Sequence, residues 1–216
     1  MNLLMIGGDR SILQGKRSAF WYTLQEFASH WDRIDVLCPR ADHPCCEPIS
    51  LQCYQPVGGN VYFHPSPWPL WRQPQWILQR GKELSRTSGF SVMTAHEYPP
   101  FYNGIGAWRL SKATGVPYVM EIHHVVGYPH AASPFEFIGR IVSQAFLGLD
   151  SRPAAAVRTV NSSTAALLAS WGVDTKKIGV VPSFYLDREA ITSVGEQPIK
   201  FDVHAVAGSY QIKGLM

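Results

Sequence analysis

The sequence predicts a doubly wound α/β domain built on a parallel sheet. Short continuous apolar runs, each ending in glycine or polar residues, alternate with stretches whose apolar residues recur at helical spacing. This alternation runs from residue 3 to residue 181, interrupted over 41–67. The chain has 216 residues, 46% of them hydrophobic, enough for one full core and the start of a second.

Residues 3–6 form an apolar strand that ends in Gly7-Gly8-Asp9. After a loop through Gly15, the residues Phe20, Trp21, Leu24, Phe27, Ala28 and Trp31 mark a helix, and 34–38 a second strand. Residues 41–67 break the rhythm with Pro, Gly and Cys around two strand-like pieces, 51–54 and 61–63. A helix starting near Gln75 follows. Residues 90–95 read as a strand, 104–114 as a helix closed by Gly115, and 116–122 as a strand. Ser133-Pro134-Phe135-Glu136 is a capping box that opens a helix to about residue 149. A strand at 154–160, a serine-capped helix stopped by Gly172 and a short strand at 178–181 complete the unit.

The predicted organisation is a domain over 1–185, a polar linker over 186–200, and the start of a second domain over 201–216. A lone strand in that last segment, without its sheet, is expected to pack poorly.

Nineteen basic and sixteen acidic residues give a net charge of +3, too mild for a nucleic-acid partner. The N-terminus has no basic leader, and no run approaches the ~20 apolar residues of a spanning helix. The expected location is the cytoplasm. The cysteines, Cys38, Cys45, Cys46 and Cys53, lie in one region with His43, but their spacing does not fit a zinc site, so no metal is expected.

In open parallel sheets, ligands bind beyond the carboxyl ends of the strands. Those ends carry Gly7-Gly8-Asp9, His96-Glu97-Tyr98, Glu121 with His123-His124, and Asn161-Ser162-Ser163. Asn161 reads either as a helix cap or as a site residue, and Glu97 either as a solvated carboxylate or as a site residue. His123 and His124 are adjacent and point to opposite faces, so at most one need be structural. Gly104-Ile105-Gly106-Ala107-Trp108-Arg109 imitates a dinucleotide fingerprint, but it has Arg at the third glycine and follows a later strand. We reject it.

With these residues in place, the chain resembles the N-terminal domain of family-four retaining glycosyltransferases, which pair two Rossmann-like domains in the architecture called fold B. Four features carry the resemblance. The opening strand leads to a loop containing Gly15 and a long helix. Val119-Met120-Glu121-Ile122-His123 is similar to the family strand that ends in a functional histidine. Val160-Asn161-Ser162-Ser163 through Trp171-Gly172, then Lys177-Ile178-Gly179-Val180-Val181-Pro182-Ser183, is similar to the family's serine-capped helix and the strand before its interdomain linker. Val206-Ala207-Gly208 to Lys213-Gly214 is similar to the opening of its C-terminal domain. The chain departs from the family at Gly15-Lys16, where a double glycine is usual, and at Ser209, where an arginine is usual. The position eight residues after each glutamate is never glutamate, so the family's paired donor-site carboxylates are missing.

The resemblance implies the acceptor-side half of a glycosyltransferase using a nucleotide-sugar donor and an acceptor that is a glycan, lipid or small molecule. It implies no cofactor, a C-terminal partner that brings the donor site, and little activity alone. His123 is then the catalytic candidate, with Gly15, Lys16, Glu97, Glu121, His124 and Asn161 as substrate-binding candidates. Two other readings stay open. One is half of a fold-B sugar-nucleotide epimerase. The other is a non-catalytic module for a protein or for the inner membrane surface. In that reading Trp68, Leu70, Trp71, Trp76, Ile77 and Leu78, among Arg72, Arg80, Lys82 and Arg86, make peripheral contact over 68–86. The simpler explanation of that segment is a core-packing helix with a basic outer face.

Overall fold

A computed structural model describes residues 1–14, 16–40, 57 and 59–182, together with the backbone of 201–206 and 209–214. Strands β1 (Asn2–Ile6), β2 (Arg33–Cys38), β3 (Val61–Pro65), β4 (Val92–His96), β5 (Tyr118–Ile122), β6 (Ala156–Thr159) and β7 (Ile178–Val180) form one sheet in the order β3-β2-β1-β4-β5-β6-β7. Every neighbouring pair in it is parallel. The winding reverses between β1 and β4, which opens a crevice at their carboxyl ends.

Alternate strand residues serve two cores, which is why these strands read as unbroken apolar runs. Leu3 and Met5 of β1 pack with Leu24 of α1 (Ala19–Ala28) on one face. Leu4 and Ile6 face the other way. There they join Ile77 of α2 (Gln73–Ser88), Leu110 of α3 (Tyr102–Thr114), Leu147 of α4 (Pro134–Asp150) and Leu168 of α5 (Ser162–Ser170). Each of these leucines and isoleucines is at most 4% exposed.

Local chemistry accounts for the helix ends. Helix α2 starts at Gln73, earlier than the sequence suggested, because Pro74 sits in the first turn, where its missing N–H is no loss. Gly115 ends α3 in the left-handed region at φ 76°. The hydroxyl of Ser133 accepts the Glu136 N–H at 3.2 Å, as expected of a capping box. Glu136 reaches one residue further back than the box requires and accepts the Ala132 N–H at 2.6 Å.

The rejected fingerprint glycines have a packing role. A Cβ on Gly106 would lie 2.5 Å from Ile77 Cδ1, and one on Gly81 would overlap the Leu110 side chain. Bare backbone at both positions lets α2 and α3 cross closely. The 68–86 segment behaves accordingly. Trp76 and Ile77 are buried, and Trp76 donates to the His64 carbonyl at 3.3 Å. Leu70 and Trp71 just before α2 stay exposed, with Arg72 stacked over Trp68 and Trp71. The larger exposed apolar face lies on α4, where Phe135, Phe137, Ile138, Ile141, Val142 and Leu149 face solvent. Among the described residues, no helix is long and apolar enough to cross a membrane.

The segment expected to hold a lone strand contains two. β8 (Phe201–Val206) pairs antiparallel with β9 (Ser209–Gly214), so the backbone groups find partners within the segment itself. The strand expected at 51–54, and His43, Cys45, Cys46 and Cys53, lie outside the described residues. Cys38 is a buried free thiol whose pKa burial pushes up to about 12.

Candidate functional site

Strand register brings three polar residues into one row. His96 of β4 pairs with Glu121 of β5, and Glu121 pairs with Arg158 of β6. Paired residues of a parallel sheet point to the same face, so the three side chains stand together on the α1 side. Thr94 and Met5 precede them on the same face. These side chains line a cavity of about 340 Å³ roofed by Phe20 and Thr23 of α1 and closed at one end by Gly7-Gly8-Asp9. Its volume is at the lower end of the range for small-molecule sites.

Arg158 organises the polar end. One guanidinium nitrogen, Nη1, donates to Glu121 Oε1 at 3.0 Å and meets His123 Nε2 at 3.3 Å. Its other terminal nitrogen, Nη2, donates to the Val181 carbonyl at 3.3 Å. His123 lies just past β5, its ring stacked on His96 with centroids 4.4 Å apart. Burial and then the Arg158 charge lower the His123 pKa to about 4. Burial, then the neighbouring His123, lowers His96 to about 4 as well. Both imidazoles are neutral at physiological pH, and both can offer hydrogen bonds without carrying charge.

The N-terminus of α1 supplies the other wall. Ser18 precedes the helix and spends its hydroxyl on Asp9 Oδ2 at 3.0 Å, while Asp9 Oδ1 accepts the Ser11 N–H at 2.7 Å. The positive end of the α1 dipole therefore opens toward the cavity beside a braced turn. Gly8 packs closely under Tyr98 in that turn: a Cβ there would overlap the Tyr98 hydroxyl and require that ring to shift.

Of the seven residues nominated from sequence, Glu121 and His123 line the cavity. Gly15 lies outside the described residues. Lys16 is exposed at the α1 approach; its neighbour Arg17 lies over the Trp21 ring at 4.8 Å. His124 is exposed and does not line the cavity. Asn161 is exposed and caps α5, accepting the Thr164 N–H at 2.7 Å and the Ser163 hydroxyl at 2.7 Å. Glu97 is not solvated: it is 2% exposed, and it sits against Asp150 at the end of α4 rather than in the cavity. Its Oε1 accepts the Tyr98 N–H at 3.0 Å. Glu97 Oε2 and Asp150 Oδ2 both crowd the space where a Gly104 Cβ would stand. Both oxygens are buried without a hydrogen-bond partner among the described residues, and burial raises both carboxyls, Glu97 further through the facing Asp150 charge.

Arg158 was not nominated from sequence. The signal was there: a single cation inside the apolar run Ala154-Ala155-Ala156-Val157-Arg158-Thr159-Val160 needs a partner once the run is a buried strand.

The model of the family Glycosyltransferase Family 4 matches residues 19–185. The fold is similar to that of sucrose-phosphate synthase from Thermosynechococcus elongatus, with TM-score 0.61 and 12% identity over 84% of this chain and 47% of that one. It is similar to UDP-N-acetylglucosamine 2-epimerase from Rickettsia bellii, with TM-score 0.53 and 11% identity over 85% of this chain and 45% of that one. It is also similar to Anabaena Alr3699/HepE in complex with UDP-glucose, with TM-score 0.51 and 16% identity over 90% of this chain and 48% of that one. The chain thus spans about half the length of these three solved structures. None of the curated proteins matches it in sequence.

Proposed function

The chain belongs to glycosyltransferase family 4, and on that premise we propose that it is the acceptor-side half of an enzyme that moves a sugar from a nucleotide-sugar donor to an acceptor. The observation that carries this reading is the cavity at the switch point, where His123, Glu121, His96 and Arg158 meet the N-terminus of α1. In the proposed site, His123 contacts the reacting sugar from one side. The α1 N-terminus and the Gly7-Gly8 backbone face the leaving diphosphate, whose negative charge suits a helix N-terminus. Lys16 remains a candidate for that charge. Glu97 and Asn161 leave the proposed site, because their side chains are engaged elsewhere.

The solved neighbour bound to UDP-glucose supports a nucleotide sugar as donor. The cavity provides one wall of a cleft. Holding donor and acceptor together supplies roughly 7–11 kcal/mol of a barrier of this kind, and it needs a second wall. Transfer is therefore proposed to require a donor-binding domain, in the same polypeptide or as a partner chain.

The test is sugar transfer by the purified 216-residue chain with and without such a domain. We expect no turnover without it, weak or no nucleotide-sugar binding by calorimetry, and turnover once it is supplied. In the restored enzyme, His123→Ala should lower turnover more than His124→Ala. Transfer by the chain alone would refute the division of labour. Equal losses from the two histidine variants would refute the role given to His123.

A further inference from the structure

We infer that Arg158 is a positioning residue for His123: its guanidinium occupies the Nε2 side of the ring, fixing the Nδ1–H tautomer, so that His123 meets an oxygen of a cavity ligand as a hydrogen-bond donor and not as a base. This deepens the proposed site and rests on that reading for its ligand, though not for its geometry.

The argument starts from donor counting. A guanidinium has only donors and stays charged. Its Nη1 carries two hydrogens, and the structure gives them two acceptors: Glu121 Oε1 at 3.0 Å and His123 Nε2 at 3.3 Å. A nitrogen that faces an N–H donor at that distance must offer its lone pair. The neutral ring then carries its proton on Nδ1. The competing arrangement would place a proton on Nε2 and aim it at Glu121 Oε2. That oxygen is 4.0 Å away, too far for a hydrogen bond, and an Nε2–H would also point at a cation.

The surroundings oppose a second proton. The titratable and charged groups facing His123 are Arg158 from β6, Glu121 and His124 from β5 and its extension, and His96 from β4. Asp9 at the end of β1 lines the same cavity. Glu121 favours an imidazolium, but its Oε1 is already engaged by Arg158. Burial and the Arg158 charge oppose it, and the pKa of about 4 agrees. Ring orientation is fixed from two directions, by the guanidinium at the edge and by His96 against the face. A donor held in this way needs no rearrangement when a ligand oxygen arrives.

The experiment uses the 216-residue chain labelled with nitrogen-15 histidine, read by long-range proton–nitrogen NMR between pH 3.5 and pH 8. His123 is assigned by its loss in His123→Asn. The expected result is a bare Nε2, a protonated Nδ1 and a titration midpoint well below the ordinary ~6.5. Arg158→Met should raise the midpoint by more than one pH unit and admit the Nε2–H tautomer. Because that variant strands the Glu121 carboxylate, which itself favours an imidazolium, the double variant Glu121→Gln/Arg158→Met is measured beside it, and a smaller rise in the same direction is expected there. A protonated Nε2 in the wild type, or an unchanged midpoint in the double variant, would overturn the inference. These readouts need no sugar transfer. Failure to find transfer with a donor domain would count against the proposed function and leave the tautomer standing.

Discussion

Replacing Glu97 by Gln should leave the fold intact at low pH and make it relatively more stable as pH rises. Glu97 and Asp150 are 2% and 8% exposed, and their unpaired oxygens crowd the same space above Gly104. Burial is the largest cause raising both carboxyls. Asp150 reaches about 6, and Glu97 goes well above its usual range, pushed further by the neighbouring Asp150 charge. The pair is thus expected to hold one proton between them at pH values where exposed carboxyls are ionised, a property of the pair and not of either residue.

A carboxyl whose folded pKa is raised binds more protons in the folded chain than in the unfolded one. Its contribution to stability is complete below about pH 4 and declines as pH rises through the folded value. For Asp150, moving from 3.8 to about 6 corresponds to about 3 kcal/mol lost across that interval. Glu97 continues the decline at higher pH. Gln keeps the donor toward Asp150 and the acceptor for the Tyr98 N–H but cannot ionise, so the Glu97 share disappears. His96 and His123, lowered to about 4, act with the opposite sign: their folded forms shed protons early and add stability between about pH 4 and 6.5. The readout is therefore the difference between variant and wild type, not either profile alone. Urea unfolding followed by tryptophan fluorescence at pH 5, 6, 7, 8 and 9 should show a small difference at pH 5 that grows in favour of Gln above pH 6. A difference that stays constant over that range, or a loss of several kcal/mol at pH 5, would refute the shared-proton account.

Two further outcomes follow from the packing. Gly106→Ala places a methyl 2.5 Å from Ile77 Cδ1 at the α2–α3 crossing, and urea unfolding should report a loss of about 1–3 kcal/mol. Asp35 is fully buried; burial alone would raise its carboxyl, but hydrogen bonds from His64 at 2.7 Å and Arg33 at 2.7 Å outweigh that and hold it below the usual range. Asp35→Ala leaves the buried His64 without its carboxylate, while Arg33, a third exposed, can turn to water; the substitution should cost about 1–3 kcal/mol. The Asp35 contribution is present above its unfolded pKa and fades as pH falls through the lowered folded value, so the penalty measured by unfolding should shrink toward strongly acid pH.

The local pattern of the chain was enough to specify the sheet-and-helix alternation, the capping serine of α4, and the strand ends where polar residues gather; at α5 the cap is Asn161 and not the serine that follows it. Those signals are local: a period of two or 3.6, a hydroxyl or amide ahead of a helix, a glycine where the backbone turns left-handed. The same locality explains what was misread at 201–216, where 201–206 pairs antiparallel with 209–214, something a strand pattern alone does not announce. Which side chains share a site depends on register and facing between strands far apart in sequence. Register put Arg158 beside Glu121 and so against His123, while the path of the chain past β5 leaves His124 outside the cavity. The turn of Glu97 away from the crevice, toward a carboxylate more than fifty residues later on α4, required the packed helices to be in place. Hydrophobic period can be read along the chain, but the partner of a buried charge is decided only when the strands and helices that bring it there have met.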